Sequence, residues 1–231
     1  MPAFHAPPAS PSILARLDDA IAVDKPAGWL VHPVGTDAPD LVTWLGADGP
    51  WAPVHRLDAG TSGPVWMARP AAVERWAARF RDHEVEKVYL TLVYGATRDH
   101  GTLRRPLQDG RRGRPLDAET RYRTLERFPA DRPRWCLLEV RPVTGRKHQI
   151  RRHLQGVGHA VVGDDRYRPR GKPTVPAFPG RLWLHCASLA VPGMPVVTAP
   201  LPPELAAHLE VLRGSGRPAP SPADPGTADP A

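Results

Sequence analysis

Segments rich in β-branched and aromatic residues recur along this chain at irregular intervals, with helix-like stretches between only some of them. Residues 21–24 read as a short strand that ends at the turn Lys25-Pro26-Ala27-Gly28. Residues 87–94, 119–128, 135–143 and 182–191 read as further strands. Residues 71–81 read as a helix, because Val73, Trp76, Ala77 and Phe80 recur at three- and four-residue steps. Thr144 is placed to cap a helix over 147–155 that Gly156 closes, and residues 205–213 behind a Pro-Pro start form a last helix. Strands with interspersed helices, outside strict βαβ alternation, predict an α+β fold on a mixed sheet.

The boundaries follow from composition. Prolines, thirty in all, are densest at the two ends, and outside residues 13–213 the only large apolar side chains are Met1 and Phe4. Such segments bury too little to offset ordering entropy, so 1–12 and 214–231 are expected to be disordered tails. No apolar run approaches the roughly 20 residues needed to cross a bilayer. The start MPAFHAPPASPS lacks a cationic block followed by an apolar one, so a cytoplasmic protein is expected. Cys136 and Cys186, the only cysteines, read as free thiols. The formal charge of +7 and the pI near 10.0 suit a polyanionic partner, because cations bound to phosphates release condensed counterions.

Four stretches carry candidate chemistry. In His55-Arg56-Leu57-Asp58-Ala59-Gly60-Thr61-Ser62-Gly63, Asp58 sits on a turn of small residues that lets a bulky ligand approach the backbone. Arg56, two residues away, shares its face if the segment is extended. An aspartate that merely fixes a tight loop would look the same. In Gly145-Arg146-Lys147-His148-Gln149-Ile150-Arg151-Arg152-His153-Leu154, cationic side chains crowd a helix start whose amides already favour anions. Lys147 and Arg151, four apart, predict a negative partner on their face: an internal carboxylate such as Asp58, or nucleic-acid phosphates. Tyr89, in Glu86-Lys87-Val88-Tyr89, is either a base-stacking residue or part of the core. Arg104, Arg105, Arg111, Arg112 and Arg114 lie among glycines and prolines in a basic loop suited to a phosphate backbone.

Taken in order, these stretches resemble the signature of the RluA-type RNA pseudouridine synthases. His55-Arg56-Leu57-Asp58 with Thr61-Ser62-Gly63 resembles the family's central motif, and Asp24-Lys25-Pro26-Ala27-Gly28 through His32 its opening strand and turn. Glu86–Tyr89, Gly145–Leu154, Gly163-Asp164-Asp165-Arg166-Tyr167, Leu184–Leu189 and Ala199-Pro200-Leu201-Pro202 resemble the later motifs, so the likeness covers about 21–209. The resemblance implies a pseudouridine synthase fold: an α+β catalytic domain, mixed and mostly antiparallel, with flanking helices and an RNA-binding cleft. It implies an isomerase that needs no cofactor and acts on RNA; a monomer is the default expectation. Asp58 would be the essential carboxylate, and Arg146 its ion-pair partner. Tyr89 would stack beneath the everted uracil and Leu184 pack against it. Arg56, Lys147, His148, Arg151, Arg152, Arg111 and Arg112 would hold RNA. The variant at 145–154 is similar to the branch that modifies uridine 65 of tRNA, with 23S rRNA as the alternative substrate. Ala59-Gly60, Pro64 and Pro192-Gly193 depart from the family pattern, the first of them beside the RNA. With about twenty residues before the first motif, no S4-like RNA-binding domain is expected.

Overall fold

The computed structural model describes residues 9–108, 113–129, 134–167, 171 and 174–214. Arg111, Arg112, and all but residues 9–12 and 214 of the expected tails lie outside these residues. Strand β1 (Ser12–Arg16) begins one residue before the expected domain start. It pairs with β2 (Ala20–Lys25), whose residues 20–23 are buried on both faces. The helix α1 (Leu41–Leu45) follows, then β3 (Ala52–Pro53) and the fully buried β4 (Gly63–Ala68). These four strands form one sheet in the order β1-β2-β4-β3.

After α2 (Val73–Arg81) comes a six-stranded sheet in the order β12-β11-β5-β10-β9-β6. Its strands are β5 (Glu86–Tyr94), β6 (His100–Leu103), β9 (Thr120–Phe128), β10 (Trp135–Pro142), β11 (Leu184–Ala190) and β12 (Val197–Thr198). A small ladder, β7 (Leu107–Gln108) with β8 (Pro115–Leu116), stands apart from it. The helices α3 (Gln149–Gly156) and α4 (Pro203–Gly214) complete the chain. Among the described residues every ladder is antiparallel, and the parallel component is confined to the isolated bridges Leu30–Asp40 and Ser62–His185. No helix of the described residues is long and apolar enough to cross a membrane.

The two large sheets meet where β4 begins. The Cys186 amide donates to the Ser62 carbonyl at 2.8 Å, and the Ser62 amide to the Leu184 carbonyl at 3.4 Å. Gly63 has φ +121, and a Cβ there would lie 2.1 Å from the Cys186 carbonyl oxygen. Only glycine permits this approach. The contact brings the loop before β4 over β5 and β11.

Candidate active site

Asp58 lies on that loop, with its side chain 28% exposed beside the buried Leu57. The loop is held from below. Lys25, fully buried at the end of β2, donates from Nζ to the carbonyls of Pro26 (3.0 Å), Trp29 (2.8 Å) and Ala59 (3.2 Å). The Ala59 carbonyl also accepts from the Gly28 amide at 2.8 Å. Burial, aided by Arg181, lowers the Lys25 pKa to about 7, while Asp58 and Asp24 oppose the shift. On the other side, Arg181 donates to Ser62 Oγ at 2.7 Å and to Glu204 at 2.7 Å, and Ser62 Oγ meets His185 Nδ1 at 2.9 Å. Lys25, Arg181, Ser62 and His185 thus fix the loop without entering the opening. Sequence reasoning assigned none of them a role. A lone lysine closing an apolar strand was the available signal for the first.

The cations facing Asp58 come from α3 and its N-terminus. Arg151 is the neighbouring guanidinium, with Nη1 3.6 Å from Asp58 Oδ2. Its other nitrogens bind Asp164 in a bidentate pair, Nε to Oδ2 at 2.7 Å and Nη2 to Oδ1 at 2.8 Å. His148 presents Nε2 3.6 Å from Asp58 Oδ1. Arg146, the expected partner of Asp58, instead donates from Nε to the Asp117 carbonyl at 3.1 Å. The difference has a local cause. The expected helix over 147–155 begins at Gln149, behind His148 in a left-handed conformation (φ 53), so the first inward-facing guanidinium is Arg151. Thr144 does not cap this helix. Its hydroxyl donates to Gln149 Oε1 at 2.6 Å and accepts from the Glu119 amide at 3.2 Å.

Gln149 and His153 lock α3 to β9. The Gln149 side chain donates from Nε2 to the Glu119 carbonyl (2.9 Å) and to Thr120 Oγ1 (3.0 Å). His153 Nε2 donates to the Arg105 carbonyl at 2.9 Å, which leaves Nδ1 to accept from Thr120 Oγ1. Only then can Arg151 be buried, 9% exposed, with its charge met from two sides.

Tyr89 is buried on β5, across the ladder from Cys186 and Val140. Burial raises its hydroxyl pKa well above the ordinary value, with Cys186 and the nearby Asp58 adding to the shift. Leu184 is buried where β11 touches the Asp58 loop, and Leu182 packs against Gly60. The remaining expected RNA contacts are spread out. Arg56 and Lys147 are exposed, and half-buried Arg152 donates to the Gln108 carbonyl at 3.1 Å. Arg152, Arg105 and Tyr167 line a cleft of about 320 Å³ under β7 and β8.

Residues 19–156 match the family model described as RNA pseudouridylate synthase. The chain is 35% identical to a ribosomal large subunit pseudouridine synthase C of Salmonella typhi, over 87% of this chain and 70% of that one. It is 32% identical to a tRNA pseudouridine synthase C of Pectobacterium carotovorum, over 82% of this chain and 57% of that one. The chain belongs to the RNA pseudouridylate synthase family. It is of the RluA type, a dual-specificity RluA enzyme being among its relatives. The solved structure of human RNA pseudouridylate synthase domain containing 1 superposes with a TM-score of 0.71 at 25% identity, covering 92% of this chain and 97% of that one. The protein is accordingly an isomerase that converts uridine to pseudouridine in RNA.

Proposed function

We propose that Asp58 performs this isomerisation on a uridine everted from a structured RNA, and that the RNA is a tRNA, with uridine 65 the position implied by the 145–154 motif. The reading rests on one arrangement: a partly exposed carboxylate on a turn of small residues, with one oxygen facing a buried guanidinium and the other a half-buried imidazole. A base inside a stem is out of reach until it flips, so an open carboxylate needs an extruded nucleotide. Arg56, exposed two residues away, would occupy the gap or a phosphate that the nucleotide leaves. Tyr89 and Leu184 would form the floor for uracil. Lys147 and Arg152 would meet the RNA backbone.

Arg151 takes the role that the sequence assigned to Arg146, holding a charge opposite the reacting carboxylate in a cleft with little water. During the reaction the N1–C1′ bond breaks, the uracil turns, C5 bonds to C1′ and loses its proton, and N1 gains one. Atoms and oxidation state balance. Asp58 acts as nucleophile toward the nucleoside or as the base for the ribose 2′-proton. Hydrolysis would need a second free acid. Asp164 is buried and already accepts from Arg151 and from the Arg166 and Tyr167 amides. Asp165 is 97% exposed and 3.7 Å from Arg151.

Ribosomal RNA is the second reading, favoured by the 35% identical relative. Tritium release from 5-tritiated uridine transcripts tests the chemistry. Wild type should release tritium, and Asp58→Asn none, with RNA affinity kept within a few-fold. Normal turnover by Asp58→Asn would remove Asp58 from the mechanism. Carbodiimide-primed sequencing of tRNA and rRNA, with and without the gene, tests the substrate. Loss of a site in rRNA alone would transfer the function to the second reading.

A further inference from the structure

The motif Gly163-Asp164-Asp165-Arg166-Tyr167 meets the active site twice, once through Asp164 and once through Tyr167. Asp164 is buried and binds Arg151, which faces Asp58 Oδ2. It also accepts from the Tyr167 amide at 2.8 Å. The Tyr167 hydroxyl lies 2.9 Å from His148 Nδ1, with the two rings edge to face at 5.6 Å. The far side of that imidazole looks at Asp58 Oδ1. Two arms therefore run from one buried carboxylate to the two oxygens of another.

We propose that Tyr167 and His148 form a second, uncharged clamp on Asp58: Tyr167 donates its hydroxyl to His148 Nδ1, which fixes the ring proton on Nε2, facing Asp58 Oδ1. The proposal rests on Asp58 being the reacting group, and it makes His148 and Tyr167 positioning residues. A carboxylate oxygen can only accept, so the favourable tautomer carries its proton on Nε2, and Nδ1 must then accept from tyrosine. At 3.6 Å the contact is too long for a hydrogen bond; such contacts tighten when substrate closes a site.

The backbone supports the assignment independently. His148 takes a left-handed conformation (φ 53) that non-glycine residues rarely adopt, and this turns its ring inward, 12% exposed. A free RNA contact would need no such geometry. The groups facing His148 are Asp58, Arg151, Lys147, Arg166 and Tyr167. Burial, the largest influence, lowers the His148 pKa, the three cations lower it further, and Asp58 opposes them. The shift favours the neutral ring. A neutral donor orients the carboxylate without the loss of basicity that a second cation beside it would cause.

The test uses full-length wild type, Tyr167→Phe and His148→Asn, the last because asparagine tolerates a left-handed backbone. Nitrogen-15 NMR of labelled histidines reads the tautomer without turnover. Wild type should show a protonated Nε2 and a bare Nδ1 at His148, and Tyr167→Phe should lose that preference. In tritium release, Tyr167→Phe should lower kcat about tenfold, as the loss of one hydrogen bond of ordinary strength would, with KM within twofold. Its acid limb should move to higher pH, because the exposed Nδ1 can then take a proton. His148→Asn should lose more kcat than Tyr167→Phe, with thermal unfolding confirming that both variants fold. A proton on Nδ1 in wild type, or an unchanged kcat and pH profile in Tyr167→Phe, would overturn the clamp. So would a fall in RNA affinity at constant kcat in His148→Asn, which would return His148 to the RNA surface. Wild-type turnover and its loss in Asp58→Asn judge the Asp58 reading separately.

Discussion

The helices α2 and α3 are both short, amphipathic and rich in arginine, and their charges meet different fates. On α2, Arg75 pairs with Asp19, Arg81 with Glu74, and Arg79 with Glu84 at 2.7 Å, all of them exposed arginines. Its core face offers Trp76, and Phe80 stacks on His55 with ring centroids 4.2 Å apart. On α3 the polar residues Gln149, Arg151 and His153 are themselves buried. Solvated pairs contribute little to stability, because water competes for both partners. A buried guanidinium is tolerated only where fixed acceptors meet it, and Asp164 and Asp58 do so here. A basic helix marks a functional face when its charges point away from solvent, so residue content alone does not distinguish the two.

The contrast breaks or holds first on activity. Arg151→Met should lower kcat/KM by about 10²–10³-fold, the usual loss when one preorganised electrostatic contact is removed. Arg146→Met should fall far less, and the reverse ranking would restore Arg146 as the partner of Asp58. Stability comes second. In urea unfolding, Arg151→Met should cost about 3–5 kcal/mol, because it strands the buried Asp164. Arg81→Met on α2 should cost less than about 1 kcal/mol. Equal costs would mean that the two helices do not differ as described.

Acid unfolding sharpens the same contrast. Burial, with a smaller push from Lys87, lowers the pKa of His55, the ring beneath α2, to about 3; burial lowers that of His185 to about 4. Both folded values lie below the unfolded value of about 6.5, so between there and pH 4 the unfolded chain binds more protons. Stability should therefore fall on acidification, by about 1.4 kcal/mol per pH unit for each histidine once well below pH 6.5. His55→Gln, which keeps an acceptor for the Trp66 amide, should flatten the slope; an unchanged slope would mean that His55 is not buried neutral. The smallest effect concerns RNA. Lys147→Gln and Arg152→Gln should each reduce the log–log salt slope of binding by about one, whereas Arg79→Gln should leave it unchanged.

The long elements were legible because their side chains repeat. The strands β5, β9 and β10 begin and end within a residue of the positions predicted from β-branched and aromatic content, and β11 within two. Short elements were not. The single turn of α1 escaped notice, although Asp40 caps it by accepting from the Thr43 amide at 2.9 Å, a spacing visible in the sequence. Thr144 misled because a hydroxyl suited to capping was taken by the buried amide of Gln149. The Asp58 loop was recognised as a place for chemistry from its small residues, but Lys25 and Arg181, which hold it, belong to strand ends and loops distant along the chain.

By itself the sequence determined the alternation of elements, the family, and Asp58 as the carboxylate on an open turn, because each is written in neighbouring residues. Tertiary structure decided which cation meets that carboxylate, which histidine turns inward, and that Asp164 is buried against Arg151. Spacing along a helix places a residue on a face. What the face meets depends on where a left-handed residue starts the helix and on how the sheets cross at Gly63, and both are set by packing between distant segments.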